Sequence, residues 1–431
     1  MPDPTSSTLP DESAKILKEV ISFYLASSGF NGISVSRLAD KTKFGSGHAV
    51  ERIRELIQQG LASVNFGDRH PNPFVKAFDP EPAGEQISKF ADANLDLSCV
   101  YPTPAALKDR VNRAEYEGRP FTLRLALGEP QLAYETFDLA VLEAYRNDPR
   151  FHYDANDICG GICICDEVYV AEHTPEAEKV LLQTFGFAYD DNFNRAVAVF
   201  LRYLNDLSPE HQRIWQAKIV KGRYLLHPDY ARSSGGDWPE NLSLFDAFLE
   251  EIRQINTMCH LIGKPPLFRD VPDQGDRPRG FSFLLRPTVK EFQDFVSLLD
   301  KLLSDNLNKE FFQGDVELTR DVPRKDGKIE VQQKGTIALF EEWIAKNFIP
   351  RDPAPLKTMI ATLKEIRKLR QRPAHALDDN RFDQAIFREQ RELAVRAYEA
   401  VRLVRQLFAN HPRARSHQVP KQLFEGRIWT Y

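Results

Sequence analysis

Leu356-Lys-Thr-Met-Ile-Ala-Thr-Leu-Lys-Glu-Ile-Arg-Lys-Leu-Arg-Gln-Arg-Pro-Ala-His-Ala-Leu377 is a long basic helical run that ends in Arg370-Gln-Arg-Pro-Ala-His375. Arginine is a permanent cation that binds phosphate through a fork of N–H donors. Histidine exchanges protons near neutral pH. An arginine and a histidine separated by four intervening residues suggest chemistry on a phosphodiester, with no metal required. The plainer reading is an amphipathic helix whose basic face is simply solvated.

Working outward, the residues around this run are mostly helical. TVKEFQDFVSLLDKLLSDNLN (288–308) is strongly amphipathic, and Thr288 with Glu291 forms a capping-box pattern. VELTRDV (316–322) and KIEVQQ (328–333) flank Asp326-Gly327, a hairpin turn signal. Helices follow over 336–348, 354–377 and 383–409. Four helices with one inserted β-hairpin predict a small bundle over 288–411, followed by a tail, 412–431.

In this setting the Arg-x4-His motif resembles that of the HEPN superfamily (higher eukaryotes and prokaryotes nucleotide-binding). IRKLRQRPAHAL is most similar to the bacterial members found in phage-defence and toxin proteins. The resemblance covers about 125 of the 431 residues. It implies a metal-independent endoribonuclease, with Arg370 and His375 catalytic. It also implies a homodimer in which the motifs of two chains meet through the helical bundle. Gln371 stands where many members carry Asn. Leu377 stands where a Tyr is common, so assistance from a tyrosine is not expected here.

The chemistry can be argued separately. RNA supplies its own nucleophile, the 2′-OH. A site need only remove that proton, stabilise a dianionic phosphorane and protonate the leaving 5′-oxygen. His375 can act as base or acid, and Arg370 can neutralise the phosphorane. The products would carry a 2′,3′-cyclic phosphate and a 5′-OH. Arg372, Gln371 and Arg367 are the candidates for further substrate contacts. Glu365 could orient Arg370, or form an ordinary helix-face ion pair. In an unbroken helix a five-residue separation would leave Arg370 and His375 about 140° apart. Pro373 is the expected break that brings them back together.

The N-terminal part reads differently. Residues 13–78 resemble a winged helix-turn-helix. The pattern is a helix over 13–28, a short helix capped by Ser34 or Ser36, and a third helix, GSGHAVERIRELIQQG. Two strands are expected at 61–66 and 73–78, flanking a wing at 67–72. Ser46, His48, Arg52 and Arg54 are the candidate DNA-reading residues. Nine basic against seven acidic residues in 11–78 is a weak balance for a DNA reader, so a protein partner stands beside DNA.

Residues 101–285 predict a mixed α/β domain of no assigned fold. FTLRLAL (121–127) alternates as a strand does. Helices are expected at 130–148, 176–187, 191–206 and 239–262, a strand or hairpin at 158–170 and a short strand at 280–285. The fold class expected for the whole is therefore multidomain α+β.

Composition sets limits on function. The net charge is −5, but residues 351–431 carry 17 Lys+Arg against 9 Asp+Glu, which leaves −13 on the first 350. That asymmetry suggests a local polyanion site, or a basic segment docked on an acidic body. No apolar run reaches the roughly 18–20 residues that span a bilayer, and the polar, acidic stretch MPDPTSSTLPDES is not expected to act as a signal peptide. Five cysteines read as reduced thiols of a cytoplasmic protein. Cys159, Cys163 and Cys165 do not follow a usual zinc spacing, and Cys259-His260 sits in an apolar helix. Asp154, Asp157, Asp166 and Glu167 read as solvated loop-end acids rather than a Mg²⁺ site. Trp215 and Trp238 are expected as core or interface anchors. There is no P-loop, dinucleotide fingerprint or G-x-S-x-G motif, so neither cofactor nor metal is expected. Two other readings remain: a DNA-binding regulator whose bundle only dimerises, and a scaffold that binds RNA without cutting it.

Overall fold

The computed structural model describes residues 9–237, 240–273, 275–324, 326, 328–371 and 379–429. The chain is mixed α+β and divides into two compact units. The first comprises residues up to 153 together with 159–238, and the second comprises 154–158 and 239 onward. The stretch 101–285, expected as one domain, is thus divided between them.

In the first unit, helix Asp11–Ala26 buries Ile16, Leu17, Val20, Ile21 and Tyr24 at helical spacing. Ser34 caps helix Val35–Thr42 by accepting from Arg37 N–H, and Lys43, in the left-handed region, ends it. Helix Ser46–Gln58 follows. These helices lie with a three-stranded antiparallel sheet in the order Ile33–Ser34, Cys99–Pro102, Ala62–Asn65. Gly32 is required where the chain meets this sheet, because a Cβ there would lie 2.5 Å from the Tyr101 ring.

The expected strand at 73–78 does not form. Its backbone is held by side chains instead: Asn65 Nδ2 donates to the carbonyls of Pro73 and Val75, at 3.1 and 3.0 Å. Lys76 N–H donates to Gln131 Oε1 at 2.5 Å. The middle strand is Cys99–Pro102, reached after a long excursion that contains helix Ala83–Lys89. Four residues are too short a run to announce a strand by periodicity.

A larger sheet follows, with strands in the order Tyr134–Phe137, Arg195–Phe200, Leu181–Tyr189, Cys159–Ile164, Phe151–Ala155; Leu225–Leu226 also pairs with 181–189. Several expectations reverse here. Residues 121–126 of the expected strand 121–127 are helical, within Pro120–Ala126, where Phe121, Thr122, Leu125 and Ala126 are buried one turn apart and Pro120 opens the helix. The stretch 130–148 contains strand Tyr134–Phe137 before its short helical turns. Leu181–Tyr189 and Arg195–Phe200 pair as a hairpin, closed by Asp190, which accepts from the N–H groups of Asn192 and Asn194 at 2.8 Å each. Short apolar runs buried in a sheet interior carry no period that separates them from helix. Trp215 is fully buried and donates to Tyr145 Oη at 3.1 Å, a core anchor; Trp238 lies outside the described residues.

The second unit is largely helical. Helices Val289–Leu302, Thr336–Asn347, Ala354–Gln371 and Ala385–Ala409 match the expected helices up to residue 371, and 372–378 lie outside the described residues. Thr288 accepts from Glu291 N–H at 3.2 Å, half of the capping box, while the Glu291 carboxylate takes Leu285 N–H at 3.1 Å. Helix Leu244–Ile262, expected with the central domain, packs along helix 385–409 and belongs to this unit. The expected strand at 280–285 is an irregular segment with Phe281, Phe283, Leu284 and Leu285 buried. The Ser282 carbonyl accepts from Gln390 Nε2 at 3.1 Å, so a side chain takes the place of a ladder partner. The hairpin forms as expected, Thr319–Pro323 with Ile329–Gln333, Asp321 opposite Val331; Gly327 of its turn lies outside the described residues. In the 412–431 tail, Ile428–Trp429 pairs in parallel with Leu242–Ser243.

Candidate functional site

Helix 354–371 buries Met359, Ile360, Leu363 and Ile366. Arg367 and Arg370 follow one turn apart, so their side chains share a face. That face meets the end of helix 289–302. Arg367 Nε lies 3.1 Å from Asp300 Oδ1 and its Nη2 2.8 Å from Asp305 Oδ1. Arg370 Nη1 lies 2.6 Å from Asp300 Oδ2 and also donates to Asp305 Oδ2. Two guanidiniums and two carboxylates therefore form one closed cluster.

The two acids differ in setting. The Asp300 side chain is 0% exposed, whereas Asp305 is 36% exposed and the two arginines are about a third exposed. A buried carboxylate is costly unless paired, so Asp300 depends on these arginines. Burial pushes the Asp305 carboxyl up, but the hydrogen bonds and charges of Arg370 and Arg367 outweigh it and hold it below the usual carboxylate range. Hydrogen bonds to Asp300 and Asp305 raise the Arg370 guanidinium further above its ordinary value.

The backbone carrying Asp305 is firmly held. Asp305 N–H donates to the Asp300 carbonyl at 3.0 Å, and Arg269 N–H to the Asn306 carbonyl at 3.0 Å. Asn306 clamps Asp270 by two bonds: its Nδ2 donates to the Asp270 carbonyl at 2.6 Å, and its Oδ1 accepts Asp270 N–H at 2.8 Å. Arg269 Nη2 donates to the Asp305 backbone carbonyl, which holds the same turn from a further side. Chemically, this is a fork-shaped cationic site occupied by carboxylates, and the same donors fit phosphate oxygens.

The other expected residues are placed as follows. Gln371 is exposed as the last residue of helix 354–371. Glu365 pairs with Arg396 at 3.0 Å and makes no bond to Arg370, so it is a helix-face ion pair rather than an orienting group. His375 and Arg372 lie outside the described residues, as does Pro373. On helix 46–58, Ser46 is exposed, but His48 Nε2 lies 2.9 Å from Glu12 Oε2. Arg52 Nη1 lies 2.9 Å from Glu55 Oε1, and Arg54 sits over the Phe90 ring, 5.7 Å from its centroid. Asp157 is buried and accepts Leu244 N–H at 2.9 Å, contrary to the solvated loop-end reading. Cys259 is buried in its helix. Among the described residues no group of three or more His, Cys, Asp or Glu side chains is placed to hold a metal. No described helix is long and apolar enough to cross a membrane.

Asp300, Asp305 and Arg269 were missed at the sequence level. One signal existed: Asp300 falls on the apolar face of its helix, one turn after Val296 and beside Leu299, where an unpaired acid is not tolerated. Compared with family models, with curated proteins and with solved structures, the chain matches none.

Proposed function

We propose that this chain is a cytoplasmic, metal-independent endoribonuclease whose site centres on Arg370 and His375. The observation that supports it is the presentation of Arg367 and Arg370 together on a partly exposed face, at the end of the helix that leads to His375. In this reading the C-terminal helices are a HEPN-like bundle and act as a homodimer. One histidine takes the 2′-OH proton as that oxygen attacks phosphorus. Arg370 neutralises the dianionic phosphorane. The bond to the 5′-oxygen then breaks, and a second histidine, from the other copy, protonates it. The products are a 2′,3′-cyclic phosphate and a 5′-OH.

The N-terminal module reads as a winged helix that docks protein rather than DNA, because His48, Arg52 and Arg54 are engaged within the chain. A nuclease acting on cellular RNA needs restraint, and such a module suits that role in a defence or toxin setting.

The test is cleavage of labelled RNA in excess EDTA by the full chain, beside Arg370→Ala and His375→Ala. Each variant should lose about 10²–10³-fold in rate, the usual effect of removing a transition-state donor. RNA left intact by the unaltered protein, or cleavage undiminished in both variants, would overturn the reading.

A further inference from the structure

The anion partner of Arg367 and Arg370 in this structure is supplied by the chain itself. Asp300 cannot leave, because it is fully enclosed and its backbone carbonyl also anchors the loop. Asp305 is different. Its backbone is fixed, but its carboxylate is part-exposed and caps the solvent side of both guanidiniums.

We infer that Asp305 is an internal competitor for the phosphodiester, occupying with its two oxygens the place that an RNA phosphate takes between Arg367 and Arg370. A carboxylate and a phosphodiester each present two oxygens bearing one shared negative charge, so both fit the same fork. Charge favours the exchange. With Asp305 in place, two guanidiniums (Arg367, Arg370) face two carboxylates. With its side chain turned out, both face Asp300 alone, and a phosphate restores the balance. Holding Asp305 in place is cheap to undo, because part-exposed ion pairs are screened by solvent. Only a side-chain rotation is needed, since the Asn306–Asp270 clamp keeps the loop where it is. Asp305 is thus a positioning and gating residue that sets how tightly RNA is held. This rests on the proposed function only in taking the anion to be RNA.

The test is binding of a fluorescent single-stranded RNA to the full chain in EDTA, followed by anisotropy at two salt concentrations. Asp305→Asn keeps the side chain's shape and removes its charge. It should bind about tenfold more tightly at low salt, with a steeper salt dependence, by about 0.7 in log–log slope for one more phosphate contact. The gain should vanish when Arg370→Gln is added. Asp294→Asn removes an exposed charge from the preceding helix, 289–302, and should change little. Asp305→Ser is the second variant, with folding of each checked by circular dichroism. Affinity unchanged by Asp305→Asn, an equal gain in Asp294→Asn, or unfolding of both Asp305 variants would overturn the inference. Tighter binding with no cleavage by any variant would keep it and sink the nuclease reading. Arg370-dependent cleavage with binding unmoved at Asp305 would do the reverse.

Discussion

Glu251 has a fully enclosed carboxylate, and its counter-charge is Arg405, 2.5 Å away from Nε and 3.2 Å from Nη2. Burial pushes the Glu251 carboxyl up, and Arg405 offsets part of that. Removing one partner leaves the other uncompensated, so Arg405→Met should cost about 3–5 kcal/mol in urea unfolding. Replacing both residues by Met should recover most of that loss; a double variant as unstable as the single one would contradict the argument. His227 gives a pH-dependent counterpart. It is 1% exposed, and Asp229 N–H donates to its Nδ1 at 3.2 Å, which needs a neutral ring. Burial pushes its pKa down from 6.5 to about 4. The unfolded chain therefore binds the extra proton first. The stabilisation is complete above about pH 6.5 and is lost as pH falls towards 4, by up to about 3 kcal/mol. Urea midpoints between pH 4 and 8 should fall less steeply with acid in His227→Gln than in the unaltered chain; identical slopes would remove His227 from the account.

At the scale of elements, the helices of the second unit were legible because each shows its apolar residues at a 3.6 period over a dozen residues or more. The strands of the first unit were not. RAVAVF is apolar throughout after Arg195, and LLQTFGF is broken by Gln183 and Thr184 without a regular alternation, so only pairing decides that they are strands. FTLRLAL failed in the opposite sense: its alternation is real, but Pro120 and a buried one-turn repeat make it helical. The candidate site was half legible. Arg370 was visible as a phosphate-type cation, whereas its carboxylate partners lie 65 and 70 residues earlier, beyond any local pattern. Gly186 shows how tightly the strand packing is specified. A Cβ there would lie 2.0 Å from the Tyr230 ring, itself fully buried against the sheet. Gly186→Ala should destabilise the chain by about 1–3 kcal/mol or more through overpacking. Gly84→Ala, in helix 83–89 with nothing within 4 Å, should stabilise it by about 0.5–1 kcal/mol. Equal shifts in the two unfolding midpoints would show that neither site is read correctly.

At the scale of the whole molecule, the second unit is not one continuous segment, because residues 154–158 leave the first unit's sequence and fold with it. Asp157 gives that excursion a physical purpose. Its carboxylate accepts Leu244 N–H at the start of helix 244–262, where the helix dipole favours an anion, and Ser243 caps the same turn. Helix 244–262 in turn packs along helix 385–409, through Glu251 and Arg405 among others. Loss of the Asp157 carboxylate should therefore loosen the second unit first. In Asp157→Ala, hydrogen exchange should accelerate in helices 244–262 and 385–409, reflecting a loss of about 1–3 kcal/mol for an unsatisfied buried donor. Protection in strands 181–189 and 195–200 should stay as it was. A fragment spanning 240–431 lacks Asp157 and should unfold at lower urea than the same helices do in the full chain. Faster exchange confined to the strands, or a fragment as stable as the full chain's second unit, would mean that 154–158 is a passenger and that the helical unit is complete without it.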